Sequence, residues 1–114
     1  MLAAEADRRG PTIIGGLEEL IASGKKDPDG IERLRVEAHG LKGAALVVGE
    51  ERLADLARLI EQSLAEATKS GQIKPATAAN MIAGASAFNE GAHAAAEGVT
   101  EPSSVGESLE ALGS

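Results

Sequence analysis

The residues best suited to chemistry lie in one stretch, Glu37-Ala38-His39-Gly40-Leu41-Lys42-Gly43-Ala44-Ala45-Leu46-Val47-Val48-Gly49. It sets one histidine among small and apolar residues, with Lys42 three positions on and Gly43 four positions on. Residues three and four apart on an α-helix are surface neighbours. His39, Lys42 and Gly43 then form one patch, with Leu46 a further turn along. Neutral imidazole is nucleophilic near pH 7. A histidine with open space on one side and a cation beside it suits an imidazole that carries a phosphoryl group.

Such a patch needs a scaffold, and the composition says which kind. The chain has 114 residues, most simply one domain with a modest core. It holds one Phe, no Tyr and no Trp, so Ala, Leu and Ile must fill the interior. Those residues, with Glu, Lys and Arg, are good helix formers. The 18 acidic residues outnumber the 11 basic ones, for a net charge of −7. That balance argues against nucleic acid or an anionic membrane as the main partner. No cysteine is present, which excludes disulfides and thiolate metal sites. No apolar run approaches the ~20 residues of a membrane span. Met1 to Arg9 lacks the pattern of a signal peptide, so a cytoplasmic protein is expected.

Periodicity places four helices. Gly10-Pro11 interrupts the start, and helix one is expected from Thr12 to Ser23, with Met1 to Arg9 a short helix or a frayed extension. Asp27-Pro28-Asp29 is the clearest helix start, combining a cap, a first-turn proline and a favourable charge. The stripe that follows is Ile31, Leu34, Ala38, Leu41, Ala45 and Val48. Glu50-Glu51 opens helix three, with Leu53, Leu56, Ile60, Leu64 and Ala67 on its stripe. Lys74-Pro75 opens helix four, with Ala78, Met81, Ala85, Phe88, Ala92 and Ala95. Gly84 and Gly91 beside that stripe predict close approach by a neighbouring helix. Short connections predict antiparallel neighbours and an all-α, up-and-down four-helix bundle over residues 1–97. Residues 98–114 read as a flexible tail.

Helical geometry puts His39 about 130° from the centre of the helix-two stripe, on its outer face. A lone surface histidine is ordinarily structural. Here, however, Val36, Gly40, Gly43, Leu46 and Val47 stand where charged residues are expected, and apolar exposure beside a functional group marks a docking surface. Gly43 clears space one turn from the imidazole. His93 has no lysine–glycine follow-on and reads as a surface residue of helix four. No acidic cluster joins the two histidines, so a metal site is not expected. No nucleotide-binding glycine loop is present, so the chain is not expected to bind ATP or phosphorylate itself.

The run His39-Gly40-Leu41-Lys42-Gly43-Ala44-Ala45, followed by Gly49, resembles the signature of histidine phosphotransfer domains. Arg52 to Glu61 also resembles the helix that follows in that family. The resemblance covers roughly Ile31 to Ala67. It implies that His39 is phosphorylated and exchanges its phosphoryl group with an aspartate on a response-regulator receiver domain. A hybrid histidine kinase is a further implied partner. Lys42 could offset charge on the phosphoryl oxygens. Magnesium would be supplied by the receiver, so no cofactor of the chain's own is expected. Resemblance to some members suggests that Glu61, about 90° from the helix-three stripe, accepts a hydrogen bond from His39 and fixes its tautomer. The other reading of Glu61 is a solvated surface carboxylate. Arg35 could guide an acidic receiver or pair with Glu32 or Glu37, worth under ~1 kcal/mol as an exposed pair.

The expected function is therefore that of a monomeric phosphocarrier rather than an enzyme. Two other readings stay open. One is a phosphoacceptor module of a chemotaxis-type kinase, against which the chain's own Met1 weighs mildly. The other is a non-phosphorylated helical adaptor that binds receivers through the same face.

Overall fold

A computed structural model describes residues 1–113. They form five helices: α1 (Leu2–Ser23), α2 (Pro28–Val47), α3 (Glu51–Ser70), α4 (Pro75–Glu97) and α5 (Ser103–Gly113). The all-helical class expected from composition and periodicity is what the structure has. Helix α1 packs on α2 and α4, α3 on α2 and α4, and α5 on α3 and α4. Among the described residues no helix is long and apolar enough to cross a membrane.

The ends of α2 and α3 follow from local chemistry. Asp27 caps α2 by accepting from the Gly30 N–H at 2.9 Å, and Pro28 occupies the first turn. Gly49 and Gly71 take positive φ after α2 and α3, the left-handed conformation that glycine adopts without a Cβ penalty. Ile31, Leu34, Ala38, Leu41 and Ala45 are buried as their spacing predicts. Val48 is not, because α2 stops at Val47 and leaves Val48 half exposed. From α3, Leu53, Leu56, Ile60 and Leu64 enter the same core, where Phe88 and Met81 of α4 meet them.

Helix α1 departs from the sequence reading. It runs unbroken from Leu2 to Ser23 with Pro11 inside it. An interior proline costs a helix about 3 kcal/mol. Leu2, Ala3 and Ala6 are buried, and Arg9 bridges to Glu37 of α2 at 3.0 Å. Tertiary packing of this first segment thus offsets the proline penalty.

The flexible tail expected from Gly98 onward is a second correction. Residues 103–113 are helical, Val105 is fully buried, and Leu109 and Leu112 pack against the core. The physical reason lies in α4. A Cβ on Gly84 would meet Leu112 at 3.0 Å and Ile60 at 3.3 Å, and one on Gly91 would meet Leu53 at 2.7 Å and Val105 at 3.0 Å. The glycines admit close neighbours as expected, and α5 is one of them. The domain boundary placed after residue 97 therefore falls within one continuous core.

Candidate functional site

Helix α2 presents His39 outward, with 62% of its side chain exposed. Leu34, Ala38, Leu41 and Ala45 hold the opposite face in the core, so the helix beneath the imidazole is anchored by its packing. Helix α3 brings Glu61 to it from the neighbouring element. The His39 Nδ1 atom lies 2.9 Å from Glu61 Oε2. Lys42 Nζ is 3.0 Å from Glu61 Oε1, and Arg35 Nη1 donates to Glu61 Oε2 at 3.2 Å. Arg35 also forks onto Glu32, through Nε at 2.7 Å and Nη2 at 2.6 Å. Among the described residues, His39, Lys42, Arg35 and Glu61 form one hydrogen-bonded group joining two helices.

Glu61 is only 13% exposed at its side chain. Burial raises its pKa, but hydrogen bonds from Lys42 and His39, with the charges behind them, outweigh burial and hold the carboxyl below the ordinary glutamate range. Glu61 is therefore ionised at neutral pH and can only accept hydrogen bonds. Its contact with His39 then requires the proton on Nδ1. In the neutral ring this leaves the Nε2 lone pair free, and no partner for Nε2 is found among the described residues. The imidazole is held with its nucleophilic nitrogen unengaged.

A consequence for pH follows. A carboxylate whose folded pKa is depressed contributes stability above its unfolded value, and that contribution is lost as pH falls through the folded value. Wild type should therefore exceed Glu61→Gln in stability by the widest margin near neutral pH, and the gap should close in acid below the ordinary glutamate range. Urea denaturation at a series of pH values checks this.

Gly43 has open space where a Cβ would stand, which leaves one side of His39 uncrowded. Val36 is 51% exposed, Leu46 56% and Val47 86%, an apolar surface on the same helix. Gly40, placed with them in the sequence reading as an open docking position, is corrected: the guanidinium of Arg9 from α1 occupies the space of the missing side chain. Arg9 is itself held by Glu5 and Glu37. Arg35, expected as a partner contact or a surface pair, is engaged with both Glu32 and Glu61. Neither Arg9 over Gly40 nor the Arg35–Glu61 contact was foreseen. Each joins residues more than 25 positions apart, beyond the reach of helical spacing.

His93 lies on α4, where its Nε2 is 2.7 Å from Asp7 Oδ1, and Asn89 donates to the same oxygen at 2.8 Å. It takes no part in the His39 group. Among the described residues no cluster of three or more His, Asp or Glu side chains is arranged to hold a metal.

The family model of the Hpt domain matches residues 8–111. The chain belongs to the Hpt family. Hpt domains are phosphocarrier modules of two-component signalling systems, with receiver domains and kinases as their partners. The match extends into α5, in keeping with the packing of that helix in this Hpt domain. No curated protein matches the chain.

Proposed function

We propose that this chain relays phosphoryl groups through a phosphohistidine at His39, taking them from and returning them to an aspartate on a response-regulator receiver. The observation that carries the reading is the pairing of His39 Nδ1 with ionised Glu61, which leaves Nε2 as the nucleophile. In the forward step, the Nε2 lone pair attacks the phosphorus of the receiver's aspartyl phosphate. The N–P bond forms, the P–O bond to the aspartyl carboxyl breaks, and the carboxylate leaves. The ring keeps its Nδ1 proton and becomes cationic, and Glu61 is placed to stabilise that charge. Return to a receiver is the reverse.

Phosphoryl transfer depends mainly on positioning and electrostatics. Lys42 sits one turn from His39 and can turn from Glu61 towards phosphoryl oxygens. The divalent ion and acceptor carboxylate belong to the receiver. Val36, Leu46 and Val47 form the apolar surface against which the receiver docks, with Gly43 keeping the approach clear. The kinase upstream would be of the hybrid type, and the chain would act in the cytoplasm as a monomer.

Incubation with a phosphorylated receiver tests this. The chain should acquire a label that is labile in acid and stable in alkali, and should return it to unphosphorylated receiver. A chain that binds the receiver but never takes up label is an adaptor, and the relay reading fails.

A further inference from the structure

Glu61 Oε2 has two donors, His39 Nδ1 at 2.9 Å and Arg35 Nη1 at 3.2 Å. Arg35 is aimed by its fork onto Glu32, a bidentate arrangement that fixes the guanidinium plane. We infer that Arg35 is a positioning residue for His39: braced by Glu32, it shares the Glu61 oxygen that receives the Nδ1–H, and so limits how strongly that oxygen draws a second proton onto the imidazole.

The chemistry makes this matter. An anion close to imidazole favours the imidazolium, and an imidazolium has no lone pair on Nε2. Glu61 is needed to fix the tautomer, yet an unshared Glu61 would hold His39 protonated to higher pH. Arg35 lessens this effect in two ways of the same sign. It takes part of the charge on Oε2, and its own positive charge opposes protonation of the ring. Further charged groups near the site are Lys42, on the second Glu61 oxygen, and Arg9 from α1, held over Gly40 by Glu5 and Glu37. Neither shares Oε2. This role deepens the reading of His39 as phosphoryl acceptor and rests on it for its purpose.

The test is an NMR titration of the His39 ring in the unphosphorylated chain. Arg35→Gln should raise the titration midpoint by about half a pH unit or more. Arg35→Met, which keeps the apolar stem, should do the same, and guards against an effect peculiar to glutamine. The acid limb of the pH profile for phosphate uptake should move up with the midpoint. In a Glu61→Gln background, the shift on replacing Arg35 should fall below half its size, because the route through Glu61 is gone. An unchanged or lowered midpoint overturns the inference, as does an equal shift in the Glu61→Gln background. A shift appearing in a chain that takes up no phosphate would sustain the role of Arg35 and refute the relay instead.

Discussion

Replacing His39 by glutamine should abolish phosphate uptake from a phosphorylated receiver, reducing label to background. The amide of glutamine has no basic lone pair to attack phosphorus, so the loss is chemical. The fold should be indifferent. His39 is mostly exposed, and substitutions at such positions usually stay within about 0.5 kcal/mol. Glutamine is also a hydrogen-bond donor and can retain the contact with Glu61. His93→Gln is the matching control. The Nε2 of His93 is already engaged by Asp7, and this residue lies outside the His39 group, so uptake should be unchanged. Labelling time courses of the two variants beside wild type, with thermal melts to confirm folding, check both expectations.

The largest effect on stability should come from Val105→Asp. Val105 is fully buried between α5 and the core, close to Gly91 of α4. An aspartate there places a charge in an apolar site with no partner, a change that costs about 3–5 kcal/mol. A favourable charge near the start of α5 returns no more than about 1 kcal/mol. Against a typical domain stability of about 5–15 kcal/mol, the variant should unfold at much lower urea or fail to fold. If residues 98–113 were a loose tail, the substitution would be silent. Urea midpoints of the variant and wild type therefore test directly whether α5 belongs to the core.

What the sequence conveyed and what it withheld divide along physical lines. Helices α2 and α3 were legible because their stripes and caps are local. Asp27-Pro28 starts α2, Gly71 follows α3, and apolar residues at steps of three and four face inward. The exposure of His39 followed from the same geometry. Pro11 misled because its penalty is local, whereas the burial of Leu2, Ala3 and Ala6 that outweighs it is tertiary. The tail misled for a similar reason. Gly98-Val99-Thr100-Glu101-Pro102 reads as a linker, and what orders α5 is the surface that Gly84 and Gly91 open on α4. At the site, periodicity alone brought Glu61 only to an edge facing α2. Its pairing with His39, Lys42 and Arg35 depends on the registry of α2 against α3, which spacing within one helix cannot supply. Arg9 over Gly40 depends likewise on the registry of α1 against α2.

The ionised Glu61 carboxylate links these observations to mechanism. It connects two helices, orders two cations and assigns the proton on His39. A phosphoryl group on Nε2 would leave the contact between Nδ1 and Glu61 in place, whereas one on Nδ1 would displace Glu61. The position of the N–P bond is therefore the most direct test. The measurement is an NMR correlation of phosphorus with the ring nitrogens in the phosphorylated, nitrogen-labelled chain. The phosphoryl group should be found on Nε2 of His39, with Nδ1 still protonated. A phosphoryl group on Nδ1, or on His93, would contradict the account.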